Sequence, residues 1–166
     1  MNERHRPALA ILLGGGIAAT LDMIYAIVSN EYYADLPPQW TMQSVASGLL
    51  GDAAFDSGAA GALLGTFAHY AILFVAAGLY SLASRRIPAL RTHAIICGIV
   101  FGVLVYLFMN FVVLPLSAFP FDLKFPIGRL MRGFVSHGLL VGVPIAIAIK
   151  RLTLPAVPVA HNERMA

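Results

Sequence analysis

Charged residues are scarce in this sequence. Asp, Glu, Lys and Arg make up 11% of its 166 residues, whereas hydrophobic residues make up 59% and the mean hydropathy is +0.80. A soluble domain covers its surface with charge on about a quarter of its residues. The composition therefore excludes an ordinary soluble domain and indicates a chain that lies almost entirely within a membrane.

Cysteine and enzyme motifs are also lacking. Cys97 is the only cysteine, which excludes an internal disulfide and leaves the redox compartment open. The sequence has no phosphate-binding glycine loop and no nucleophile elbow, and the run Gly14-Gly15-Gly16 lies inside an apolar stretch, where it indicates close helix packing. These absences favour a function other than catalysis, and no catalytic residue is predicted.

Long apolar stretches are what the sequence does contain. Four of them have the length of about 20 residues that a helix needs to cross a hydrocarbon core. They cover approximately residues 7–28, 59–83, 94–114 and 133–149. We expect a single all-α membrane domain that folds as a four-helix bundle, with its first helix retained rather than cleaved as a signal peptide. Pro115 should close the third span, and Pro144 should kink the fourth.

The basic residues indicate how the bundle is oriented. Most of them lie at one set of span ends: Arg4, Arg6, Arg85, Arg86, Arg91, Lys150, Arg151 and Arg164. The positive-inside rule then places both termini in the cytoplasm. This distribution explains the net charge of +3 without nucleic acid as a partner; the partner is the lipid bilayer. On the outer side, Arg129 and Arg132 are either lipid-headgroup ligands or ordinary interfacial anchors.

The longer outer loop, residues 29–57, has structure of its own. Tyr32, Tyr33 and Trp40 are typical of an aromatic belt at the membrane interface. Apolar residues recur at helical spacing from Gln43 to Phe55. This pattern predicts a short amphipathic helix that lies on the membrane surface or folds over the mouth of the bundle, although an irregular loop is the alternative.

Each span carries one strongly polar side chain, and the set consists of Asp22, His69, Asn110 and His137. At about 1.5 Å of helix rise per residue, all of them fall in the outer half of the bilayer. Each also lies on a stripe of small residues, which is the helix face that packs inward in membranes. Because hydrocarbon solvates such groups poorly, we expect them to meet inside the bundle.

Three functions are compatible with such a cluster. In the first, the side chains hydrogen-bond to one another and only specify helix packing, as in a structural or accessory subunit. In the second, Asp22 and the histidines belong to a proton or solute path, for which a homo-oligomer or a partner subunit would supply the room that four short helices lack. In the third, His69 and His137 bind haem, or hold a metal ion together with Asp22.

Part of the chain, from about Phe67 to Arg151, resembles the YagU-like group of bacterial inner-membrane proteins. The residues that carry the resemblance are His69, Tyr80, Pro88, Pro115, Leu116, Pro120, Asp122, Leu123, Ser136 and His137, with Ser136 standing where the relatives have glycine. The resemblance implies a bacterial inner-membrane location and a four-helix topology. It implies no catalytic residues, and Asp22 lies outside the matched region.

Overall fold

A computed structural model describes residues 6–153 of the chain, so that Arg4 and Arg164, two of the basic residues used to infer orientation, lie outside the described part. Within residues 6–153 the chain is all-helical and contains no strand. The helices are α1 (Arg6–Ala34), α2 (Pro38–Leu50), α3 (Ala53–Asp56), α4 (Gly58–Arg86), α5 (Ala89–Thr92), α6 (Ala94–Leu116) and α7 (Ile127–Thr153).

The prediction of a four-helix membrane bundle is confirmed, because α1, α4, α6 and α7 are each long and apolar enough to cross a membrane. The helices extend beyond the predicted spans. The largest differences are at the end of α1, which continues to Ala34 rather than to residue 28, and at the start of α7, which is Ile127 rather than residue 133. Pro126 is extended, with ψ of 144°, and the helix starts directly after it, so the first turns of α7 carry the polar Arg129 and Arg132 that hydropathy alone had left in the loop.

Small residues set how closely the four long helices approach. Helix α1 packs against both α4 and α7, and α7 packs in turn against α6. A Cβ atom added at Gly14 of α1 would lie 2.9 Å from the Cβ of Ala148 on α7. One added at Gly142 of α7 would lie only 1.8 Å from the carbonyl oxygen of Gly98 on α6. Backbone contact of this kind replaces the hydrophobic driving force that lipid removes between membrane helices.

Helix α2 is the helix predicted in the longer outer loop, with bounds that differ from the predicted residues 43–55. The helical stretch starts earlier, at Pro38, because proline is preorganised for the first helical turn. It ends at Leu50 because Gly51 adopts φ of 60° and ψ of −144°, a conformation in which side chains are strained, and α3 follows as a separate turn. We call the end of the bundle at which α2 lies the α2 end, and the opposite end, which carries α5, the α5 end.

Helix α2 is part of the bundle rather than a helix lying apart on its surface. Its backbone runs directly over α4, where a Cβ atom added at Gly65 would lie 1.8 Å from the carbonyl oxygen of Met42. The buried Gln43 side chain donates hydrogen bonds to the carbonyl oxygens of Phe55 (3.3 Å) and Gly58 (3.0 Å). The helix therefore covers the bundle at the start of α4.

Two segments of π-helix interrupt the long helices near the polar side chains. In α6 the π-helical segment is Met109–Val113, and in α7 it is His137–Gly142. Each segment ends shortly before a proline, Pro115 or Pro144. A proline ring clashes with the carbonyl group of the residue four positions earlier, and a wider turn relieves that clash. The π-helical segment in α7 precedes the proline at which a kink is predicted, and α6 ends at Leu116, one residue after Pro115.

Candidate functional site

Asp22 lies on the face of α1 that packs inward and is only 7% exposed. Its neighbours on that face, Ala18 and Ala19, are fully buried. Small side chains at these positions let α4 and α7 approach α1 and enclose the carboxyl group, which a larger residue would prevent. A carboxylate enclosed in this way is costly unless other polar groups compensate it.

Two histidines from different helices face this carboxyl group. The Nε2 atom of His69, on α4, lies 3.9 Å from Oδ2 of Asp22. The Nδ1 atom of His137, on α7, lies 3.7 Å from Oδ1. Each carboxylate oxygen therefore faces its own imidazole, at a distance suited to an ion pair and longer than a direct hydrogen bond. The residues Asp22, His69 and His137 together are called the acid–imidazole cluster.

Each imidazole also has a hydrogen-bond partner near the cluster. His69 Nε2 lies 3.1 Å from the carbonyl oxygen of Ala19. Because a carbonyl oxygen only accepts, this bond requires a hydrogen atom on Nε2, which is the same nitrogen that faces Asp22. His137 Nδ1 lies 3.2 Å from the hydroxyl oxygen of Ser136. The Ser136 hydroxyl donates to the carbonyl oxygen of Gly133, so it accepts from His137 Nδ1–H, which both a neutral and a protonated imidazole can provide.

Helix α6 supports His137 from the other side. The Tyr106 ring meets the His137 ring edge-on. A Cβ atom at Gly133 would overlap the Tyr106 ring, and one at Gly102 would lie 2.0 Å from the carbonyl oxygen of His137. Both glycines are therefore required for α6 to approach α7 at this level. A π-helical segment begins at His137, and such segments are frequent at functional sites.

Asn110 stands apart from the other three predicted residues. It is buried, as expected, with 8% exposure. Its Nδ2 atom donates a hydrogen bond of 2.9 Å to the carbonyl oxygen of Tyr106 in its own helix. Within residues 6–153 no hydrogen bond or ion pair joins it to Asp22, His69 or His137. The structure thus brings three of the four predicted side chains together and gives the fourth a partner within α6.

The chemistry of the cluster fits a proton better than a metal ion. Among the described residues, no group of three His, Cys, Asp or Glu side chains is arranged to hold a metal ion. His69 Nε2 requires its hydrogen atom for the Ala19 carbonyl, so the nitrogen that faces Asp22 cannot bind a metal or haem iron, and a neutral His69 keeps a lone pair only on Nδ1. The haem and metal alternatives gain no support from this geometry.

Comparisons of the chain with family models, with curated proteins and with solved structures found no match. The class of the protein is therefore inferred from its helices. It is a multi-pass α-helical membrane protein. Its distinguishing internal feature is the acid–imidazole cluster.

Proposed function

We propose that this protein is a small binding or transport-related protein of the bacterial inner membrane in which the acid–imidazole cluster holds a proton. The observation that carries the proposal is that each oxygen of the Asp22 carboxyl group faces a separate imidazole, at 3.9 Å and 3.7 Å. The resemblance to YagU-like proteins supports the choice of membrane.

Charge balance explains why such a cluster would take up one proton. With Asp22 ionised and both imidazoles neutral, the cluster carries one negative charge in a region of low dielectric, which is costly. One added proton makes the cluster neutral overall, and the ion pair that results can form through His69 or through His137. Either imidazole can carry this proton, and imidazole is the side chain that proteins commonly use in proton relays.

A specific observation also favours the packing alternative, in which the cluster only fixes helix register. His69 hydrogen-bonds the backbone of α1 at Ala19 and thereby links α4 to α1 irrespective of charge. Replacing Asp22 by Asn separates the alternatives, because the amide keeps the size of the side chain and its hydrogen-bonding capacity while removing the charge. The packing alternative requires that the charge be dispensable.

A proton-flux assay in vesicles tests the transport function. The protein is reconstituted with a trapped pH-sensitive dye, and a potassium diffusion potential drives protons across the membrane. We expect the unaltered protein to acidify the vesicles faster than protein-free vesicles do, and Asp22→Asn to abolish the difference while its thermal unfolding stays within a few degrees. Flux that persists in Asp22→Asn would contradict the proposal, as would a loss of flux that only accompanies a loss of folding.

The proposed orientation places the α5 end of the bundle in the cytoplasm. Arg85, Arg86 and Arg91 lie at that end and support the assignment through the positive-inside rule. In a Cys97→Ala background, we expect Asp52→Cys to react with a membrane-impermeant maleimide in intact cells and Thr92→Cys to react only after lysis. The reverse pattern would overturn the orientation and leave the proton site untouched.

A further inference from the structure

A groove runs along the outside of the bundle between α1 and α7. Its volume is about 380 Å³, and Tyr25 of α1 forms one wall. The other wall is the face of α7 formed by Met131, Arg132, Val135, Ser136, Leu139 and Leu140. Val135 is 61% and Leu139 51% exposed, so the groove opens away from the bundle, towards the lipid.

The groove is apolar along most of its length and carries a cationic side chain at one end. Arg132 and Leu140 stand eight positions apart on α7, so the wall is roughly 12 Å long at the helical rise of about 1.5 Å per residue. Its side chains below Arg132 are almost entirely apolar, since the Ser136 hydroxyl is turned towards Gly133 and His137. Arg132 lies towards the α2 end and Leu140 towards the middle of the bilayer. The groove is therefore charged at the membrane interface and apolar below it, as a phospholipid is.

Arg132 is held in place but not neutralised. Its guanidinium group lies over the ring of Tyr33, 4.1 Å from the ring centroid, which positions it above the groove between α1 and α7. Within residues 6–153 no carboxylate lies close enough to form an ion pair with it. Arg129, one turn earlier, donates a hydrogen bond to the carbonyl oxygen of Lys124 and adds positive charge to the same end. An uncompensated guanidinium at the headgroup level attracts an anion.

We infer that this groove binds an anionic phospholipid of the surrounding bilayer, with the phosphate at Arg132 and one acyl chain along Val135 and Leu139. The charge of Arg132 distinguishes anionic from zwitterionic lipids, and the apolar wall distinguishes a lipid from a free phosphate. The site is separate from the acid–imidazole cluster in its chemistry, although Ser136 borders both.

Fluorescence quenching by brominated lipids tests this inference. The only tryptophan is first removed by Trp40→Phe, and Leu139→Trp places a reporter in the groove. The control reporter is Phe67→Trp, because Phe67 is 75% exposed on α4 near the level of His69 and outside the groove. Each protein is reconstituted in phosphatidylcholine vesicles that contain either brominated phosphatidylglycerol or brominated phosphatidylcholine.

We expect the groove reporter to prefer phosphatidylglycerol about fivefold, which corresponds to about 1 kcal/mol for one cation near a headgroup. Arg132→Gln should remove this preference, Arg132→Lys should keep most of it, and the control reporter should show none. Added salt should weaken the preference of the groove reporter with Arg132 intact, a readout that needs no change at Arg132. Equal quenching by the two lipids, or a preference that survives Arg132→Gln or is shared by the control reporter, would overturn the inference.

Discussion

The ring of Tyr106 meets the imidazole of His137 edge-on, with 4.9 Å between the ring centroids and an angle of 68° between the ring planes. The Tyr106 hydroxyl is buried and has no hydrogen-bond partner within residues 6–153. An edge-on aromatic pair is stabilising, whereas a buried hydroxyl without a partner costs about 1–3 kcal/mol. We therefore expect the ring of Tyr106 to support the cluster and its hydroxyl group to lower the free energy of unfolding.

Tyr106→Phe should consequently leave the protein as stable as before or raise its free energy of unfolding by about 1 kcal/mol. Phenylalanine keeps the contact with His137 and removes the unsatisfied oxygen. Unfolding by sodium dodecyl sulfate in mixed micelles measures the change. A loss of more than 1 kcal/mol would show that the hydroxyl group has a stabilising partner.

Gly102→Ala should separate α6 from α7 at the level of the cluster. The added methyl group would meet the carbonyl oxygen of His137 at 2.0 Å, and backbone cannot rotate away as a side chain does. We expect a loss of about 1–3 kcal/mol in the free energy of unfolding, the usual cost of overpacking.

The matched control is Gly78→Ala on α4, where an added Cβ would meet nothing within 4 Å. Alanine is a better helix former than glycine by about 1 kcal/mol, so this change should be neutral or stabilising. Both variants are compared in the same micelles. Similar effects of the two substitutions would refute the close α6–α7 contact.

Asn110→Ala should weaken the fold without disturbing the acid–imidazole cluster. It removes one hydrogen bond within α6, that to the Tyr106 carbonyl oxygen, and we expect a loss of about 1 kcal/mol. Proton flux should be retained in proportion to the folded fraction. A complete loss of flux in a folded Asn110→Ala protein would place Asn110 in the working site after all.

Much of the fold follows from the sequence because a bilayer restricts the choices. Backbone polar groups in hydrocarbon must be satisfied internally, so an apolar stretch of sufficient length is a helix. The same solvent argument brings Asp22, His69 and His137 together, since exposure to lipid would be costly for each of them. These predictions use only the composition, the depth of the residues and the helix face on which small residues lie.

Features that depend on which residues contact one another could not be derived from composition and depth. The Asn110 side chain is short enough for its amide group to donate a hydrogen bond to the backbone of its own helix. No pattern in the sequence distinguishes this intrahelical bond from a hydrogen bond to Asp22. The sequence shows glycine at position 65 but not that its neighbour is the backbone of α2. The π-helical segments did leave a signal in Pro115 and Pro144, although the signal gives their position and not the direction in which His137 points.

Nitrogen-15 magnetic resonance of the histidine side chains in lipid bilayers tests the central claim most directly, because it reports the protonation of His69 and His137 separately. Over a range of decreasing pH we expect the signal of a protonated imidazole to appear for at least one of them, because Asp22 supplies the opposite charge. That signal should be lost over the same range in Asp22→Asn and retained in Asn110→Ala. Imidazoles that both stay neutral throughout, or a protonated signal that persists in Asp22→Asn, would contradict the account.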